Sequence, residues 1–259
     1  MFGLLPAEHR LRHFSPSRLY VDRSHGFVVV LNPKVASTFL RDFLARGVKA
    51  HYGRDDPSQG RFRPLSMPRR FPVAPVGDYV DALRNPDRYA AFAFTRNPYL
   101  RLKSAWKDKF YNGHLHGYSR STRTRNLARL RAFARKAGLE GAADGTLVPF
   151  STFVAHVVAS RPGTLDHHWD RQHLVLMDGH FPRVRYFKVE SEFAEGLVEI
   201  FTGHGGFPRD WVLANTERRN ASRSDDLAVY DEDLARRVHA AHERDFALFG
   251  YDRESWRGH

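Results

Sequence analysis

Three stretches of the chain carry the apolar patterning of buried strands. Residues 27–31 (FVVVL) are apolar without interruption, residues 89–95 (YAAFAFT) nearly so, and residues 184–189 (VRYFKV) alternate. A short, continuously apolar run suits a strand covered on both faces, the usual condition of a parallel sheet. Helical periodicity predicts a helix directly after each of the first two runs, and others at residues 127–137, 151–159 and 191–201. A last helix is predicted over 231–249, with Leu234, Val238 and Ala241 on its inner face and Gly250 stopping it. Residues 51–75, rich in proline and arginine, read as loop. Strands alternating with helices, with no repeat and no separating linker, predict a single α/β domain over residues 1–259 with its core at about 26–251. Its expected architecture is a central parallel sheet flanked by helices.

The segment after the first strand is chemically distinctive. Asn32-Pro33-Lys34-Val35-Ala36-Ser37-Thr38 leads into Phe39-Leu40-Arg41-Asp42-Phe43-Leu44, giving strand, tight loop and helix. A loop entering a helix N-terminus presents backbone N–H groups and the positive end of the helix dipole, a ready site for phosphate. Ser37 and Thr38 add hydroxyl donors, and Lys34 adds a mobile charge. The glycines of the nucleotide-triphosphatase loop G-x-x-x-x-G-K-[ST] are absent, and the lysine stands three residues before the hydroxyl pair, not beside it. Taken alone, Pro33 as a chain breaker and Ser37 or Thr38 as a plain helix cap fit equally well.

A second segment repeats the design. Phe92-Ala93-Phe94-Thr95-Arg96 ends a strand, Pro98 suits a first helical turn, and Arg101 and Ser104 follow within the helix. Arginine can grip a phosphate with two N–H groups, and a serine hydroxyl can complete the cage. Together, Lys34-x-x-Ser37-Thr38 and Arg96-x-Pro98-x-x-Arg101-Leu102-x-Ser104 resemble the sulfotransferases that use 3′-phosphoadenosine 5′-phosphosulfate (PAPS), in particular the carbohydrate branch of family 2 type. Weaker similarity lies in Ser151–Val158, His168-Trp169-Asp170-Arg171-Gln172, Tyr186–Phe193, Asn220-Ala221-Ser222-Arg223 and the closing helix up to Tyr251.

The resemblance implies a P-loop-like sulfotransferase fold with the donor at the C-terminal ends of the strands. It assigns Lys34, Val35, Ala36, Ser37 and Thr38 to the 5′-phosphosulfate, and Arg96 and Ser104 to the 3′-phosphate. It also implies Arg223 as a cofactor-binding residue and a carbohydrate-type hydroxyl as acceptor. Sulfuryl transfer resembles phosphoryl transfer, with a loose transition state governed by positioning and electrostatics. Lys34 suits the charge on the leaving oxygen and His168 suits the general base, with His167, His51 and Glu190 as rivals. No metal is expected, and the pair His114 and His116 reads as loop decoration.

Composition narrows the picture further. A formal charge of +12, from 41 Lys plus Arg against 29 Asp plus Glu, points to an anionic partner. No acidic residue occurs from Lys109 through Leu139, and the helix there carries Arg129, Arg131, Arg135 and Lys136. That helix is either a cradle for an anionic acceptor or the solvated face of an amphipathic helix burying Leu127, Leu130 and Phe133. With no cysteine, no signal-peptide pattern and no run able to span a bilayer, the expected setting is the cytoplasm, where the sequon Asn220-Ala221-Ser222 has no role. Two other functions remain open on sequence grounds. A nucleotide-dependent phosphotransferase would need a magnesium-binding acidic residue at a strand end, and no apolar strand ends in a convincing Asp. A basic nucleic-acid-binding protein would need a recognition signature that is missing, so no nucleic-acid partner is expected.

Overall fold

The structure, a computed structural model, describes residues 13–15, 18–52, 74–111, 120–143, 147–216 and 229–258. The elements used below are, in chain order, β1 (Leu19–Asp22), β2 (Phe27–Val30), α1 (Ser37–Tyr52), α2 (Val76–Arg84), β3 (Ala90–Thr95), α3 (Pro98–Trp106), α4 (Arg120–Ala137) and α5 (Phe150–Ala159). They continue with α6 (Gln172–Val175), β4 (Val184–Lys188), α7 (Phe193–Leu197), α8 (Arg209–Ala214), α9 (Glu232–Ala241) and α10 (Glu243–Phe249). The three strands legible in the sequence form in register: β2, β3 and β4 are parallel neighbours, with Val29 opposite Phe92 and Phe94 opposite Phe187. The fourth, β1, was not anticipated. It pairs antiparallel with β2 at the sheet edge, so the sheet is mixed, in the order β1-β2-β3-β4. Its four residues are too few for a periodic signal, and Arg18 and Asp22 flank or end the run.

The chain divides into two compact units. One comprises residues 1–96 and 173–221, the other residues 97–172 and 222–259. The first holds the sheet. One face of it is aromatic: Phe27, Phe92, Phe94 and Phe187 lie side by side, and Phe193, Phe201 and His204 from the helices after β4 pack onto them. Helix α1 joins this layer through Phe39 and Phe43. At Gly196 a β-carbon would come within 2.7 Å of the Phe187 ring and 2.8 Å of Phe94, so glycine is what lets α7 approach the sheet this closely. Helix α7 runs into a π-helical segment, Val198–His204, in place of the single α-helix expected over 191–201.

The second unit is helical. Tyr99, Trp106, Phe150, Phe153, Trp169 and Phe246 belong to one buried cluster contributed by α3, α5, the loop before α6, and α10. Helix α4 extends beyond its expected range and is amphipathic. Leu130 and Ala134 are buried, Leu127 and Phe133 are half-buried, and Arg129, Arg135 and Lys136 are exposed. The expected closing helix is broken in two at His242, which ends α9 and begins α10. His242 is 2 % exposed, and its Nδ1 lies 3.3 Å from the Asp245 carboxylate, which also accepts the Gln172 N–H at 2.7 Å. This buried polar pairing outweighs helical continuity at that residue. Gly250 ends α10 in the left-handed conformation at φ 64°, as its position in the sequence predicts.

Candidate active site

The loop between β2 and α1 has a backbone that glycine-free sequences rarely adopt. Lys34 has φ 67° and Ala36 has φ 52°, while Val35 between them is not in that region. Left-handed residues placed in this way turn neighbouring N–H groups toward one concavity, the geometry of an anion-binding nest. Each left-handed non-glycine residue costs about 1–2 kcal/mol, and such strain persists where the surroundings over-determine it, commonly at ligand sites. Here the turn is closed by the Val35 N–H donating to the Asn32 carbonyl at 3.2 Å, and Asn32 Nδ2 donates to the Phe94 carbonyl of β3 at 3.4 Å. Helix α1 then starts at Ser37, with the Leu40 N–H bonded to the Ala36 carbonyl. The N–H groups of Ser37 and Thr38 precede that first bond and have no carbonyl within the helix to meet. The first turn carries no acidic residue to meet its dipole.

Arg96 leaves the C-terminal end of β3, and its Nη1 donates to the Lys34 carbonyl at 3.0 Å. The guanidinium therefore lies against the loop, and the two strand-end motifs meet on the C-terminal edge of the parallel strands. Both Lys34 and Arg96 are half-buried, Ser37 is half-buried and Thr38 exposed. The turn after β4 joins the same edge, where the Val189 N–H donates to the Thr95 carbonyl at 2.9 Å; Glu190 of that turn is exposed. His51 sits at the opposite end of α1. Sixteen helical residues span about 24 Å, and the His51 ring packs on Phe207 and Trp211 at 4.9 and 4.7 Å. Its half-buried ring is engaged in that aromatic packing, at the far end of the helix from this loop.

Ser104 and His168 belong to the second unit. Ser104 is half-buried on α3, whose start is fixed by Asn97 accepting the Tyr99 N–H at 2.9 Å and by Pro98 in the first turn. His168 Nδ1 lies 2.6 Å from Asp166 Oδ1, which also accepts the His168 backbone N–H at 3.0 Å. The other Asp166 oxygen accepts Asn126 Nδ2 at 2.9 Å. A carboxylate can only accept, so Nδ1 carries the proton and the lone pair falls on Nε2, the form a general base needs. Arg101 fixes this loop from beneath. It is 1 % exposed and donates to the carbonyls of Asp170 at 2.6 Å and His167 at 2.7 Å.

Donor atoms of Asp166, His167 and His168 lie within 4.8 Å of one another, a spacing that admits a metal ion. The 2.6 Å contact between Asp166 and His168 is already a hydrogen bond, and a metal would have to displace its proton. Arg223, His114 and His116 lie outside the described residues, as do most of residues 51–75. Asp166 was not singled out from sequence, and Arg101 stood in the second motif without a role. The spacing Asp-x-His was the available signal for the first, and nothing local marks the second, whose partners are 66 and 69 residues away.

A model described as the sulfotransferase family matches residues 17–252, a span that takes in every motif above. No curated protein and no solved structure matches the chain.

Proposed function

The chain belongs to the sulfotransferase family, and on that premise we propose that it moves a sulfuryl group from PAPS to a hydroxyl of a carbohydrate or glycoconjugate. The observation that carries the donor assignment is the Arg96 bond to the Lys34 carbonyl, which joins the two strand-end motifs into one anion-binding edge. A donor with phosphate at both its 5′ and 3′ ends suits two adjacent cationic loops better than a nucleotide with one. In this reading Lys34, the N–H groups of Val35 to Thr38 and the Ser37 and Thr38 hydroxyls hold the 5′-phosphosulfate. Arg96 and Ser104 take the 3′-phosphate, and Arg223 adds a further cofactor contact.

The acceptor oxygen attacks sulfur as the bond from sulfur to the bridging phosphate oxygen breaks. The bonding pair leaves with that oxygen, adenosine 3′,5′-bisphosphate departs, and the acceptor proton passes to His168 Nε2. Lys34 stabilises the charge growing on the leaving oxygen, and Asp166 stabilises the imidazolium that forms. No metal is needed, since the donor arrives activated. We read residues 1–259 as one sulfotransferase domain, because the family match runs across both compact units. A cysteine-free composition supports a cytoplasmic setting.

The test joins a screen of sugar acceptors, using PAPS labelled in its sulfate, to calorimetry with adenosine 3′,5′-bisphosphate in chelator. Transfer and binding are both expected without magnesium. Arg96→Ala should weaken the bisphosphate by about tenfold or more and adenosine 5′-phosphate little. Binding that requires magnesium would favour a phosphotransferase, and equal weakening of both nucleotides would remove the 3′-phosphate assignment.

A further inference from the structure

The second unit contains a cavity of about 330 Å³ that none of the assignments above uses. It lies beside α4, α5 and the loop before α6. One wall is aromatic: Phe110, Phe153 and Trp169 touch one another with ring centroids 5.5 to 5.7 Å apart. Leu130 and Leu165 aside, the rest is polar, with Asn126, Arg129, Thr164 and Asp166 among the lining residues. At this volume it sits at the small end of ligand pockets, which run from about 300 to 1,000 Å³. It suits a single ring and not an extended oligomer.

The chemistry of the walls selects the occupant. An aromatic ring of that wall packs against the C–H face of a saturated ring, while the amide, hydroxyl and carboxylate groups of the lining meet hydroxyls that both donate and accept. A purely apolar guest would strand those polar groups. Arg129 adds positive charge in a stretch of chain with no acidic residue from Lys109 through Leu139. Burial and the neighbouring Arg129 both hold the His156 pKa below its ordinary value, so this lining residue stays neutral. Two nitrogens of lining residues, Trp169 Nε1 and His156 Nδ1, are buried without a hydrogen-bond partner among the described residues, capacity that a small turn of either ring would offer a ligand. Asp166 connects the cavity to the chemistry: it lines the wall while its Oδ1 holds His168 Nδ1 at 2.6 Å.

We propose that this cavity is the acceptor subsite and binds one sugar ring carrying an anionic group, a carboxylate or a sulfate ester, with Arg129 reading the charge and Asp166 and Asn126 reading hydroxyls. The role as acceptor subsite rests on the sulfuryl-transfer reading, with His168 as base; the binding of an anionic sugar does not.

Binding is measured first, by calorimetry on the whole chain with glucuronate, glucose 6-sulfate and glucose as probes. Both anionic sugars should bind, and glucose about tenfold more weakly, the scale of one charge-assisted contact. Arg129→Ala should erase that difference, and Ser160→Trp, which fills the cavity, should abolish binding of all three. Retained affinity for adenosine 3′,5′-bisphosphate and an unchanged melting temperature establish that each variant is folded; Thr164→Trp, at another lining position, serves in place of Ser160→Trp if the latter does not fold. If only one of the two anionic sugars binds, the anion is identified as carboxylate or sulfate and the proposal stands. Sugar affinity unaffected by filling the cavity, or sugar displaced competitively by the bisphosphate, overturns it. Acceptor sulfation by Ser160→Trp at unchanged kcat/KM would overturn the subsite and leave the enzymatic reading intact. Sugar binding with no transfer from PAPS to any acceptor would do the reverse.

Discussion

Lys34 is held at φ 67° by its loop, and this makes its substitution unusually clean. Alanine has the same left-handed penalty as lysine, so Lys34→Ala removes the ammonium without relaxing the backbone, whereas glycine would do both. A charge that meets an oxygen only as that oxygen becomes a leaving group acts on rate more than on binding. Lys34→Ala should lower single-turnover sulfuryl transfer by about a hundredfold or more, with a smaller loss of bisphosphate affinity measured by calorimetry. Near-normal turnover would reduce Lys34 to a spacer. The residues of this loop were legible in sequence because their chemistry is contiguous, four polar or small side chains at one strand end. The Asp166–His168 pair was half legible: the histidine stood out by resemblance, but an aspartate two residues earlier is unremarkable until an Asx-type turn folds it onto the ring. Arg101 stood inside the second motif, yet its role depends on carbonyls brought to it by folding.

Among elements, the β2–α1 connection makes a demand that can be measured at Ala36, φ 52°. A β-branched residue fits this region badly, so Ala36→Val should cost about 1–2 kcal/mol or more in urea unfolding. Ala36→Gly should not destabilise, since relief of strain offsets the extra freedom glycine gives the unfolded chain. Glycine should nevertheless weaken binding of adenosine 3′,5′-bisphosphate, because the nest is then less preorganised. A destabilised glycine variant would mean that the left-handed geometry carries no strain. Element positions came through best where apolar runs were long: observed β2, β3, β4 and α5 begin or end within a residue of expectation. They failed where tertiary pairing decided the matter. The edge strand β1 exists because β2 offers it a ladder, and the break at His242 exists because Asp245 and Gln172 are buried beside it.

At the scale of the molecule, His242 sets a pH limit on stability. Burial, chiefly, and secondarily the charges of Arg171 and Arg101 hold its pKa below 6.5 against the opposing pull of Asp245. His156 is shifted the same way by burial and Arg129. In the window between the folded pKa and 6.5 the unfolded chain binds more protons than the native one, so stability rises with pH there. The contribution is complete above that window and is lost as pH falls below about 6.5. Thermal melting should therefore drop between pH 7.5 and 5.5, and His242→Gln should flatten that dependence. An unchanged pH slope in the variant would show that His242 is not a source of it.

The exposed face of α4 has a kinetic consequence. Arg129, Arg135 and Lys136 stand in solvent within a stretch from Lys109 to Leu139 that holds no counter-charge. Such a field reaches about 8–10 Å into physiological salt, further than any hydrogen bond, so it acts on a polyanionic chain before a single ring is seated. It raises the frequency of productive collisions and leaves the chemical step alone. With a polyanionic acceptor, kcat/KM should fall about tenfold or more as sodium chloride rises from about 50 to 300 mM, while kcat stays nearly constant. With a neutral sugar acceptor both should be flat. The same steep slope for the neutral acceptor would locate the salt effect in donor binding, not in the arrival of the acceptor.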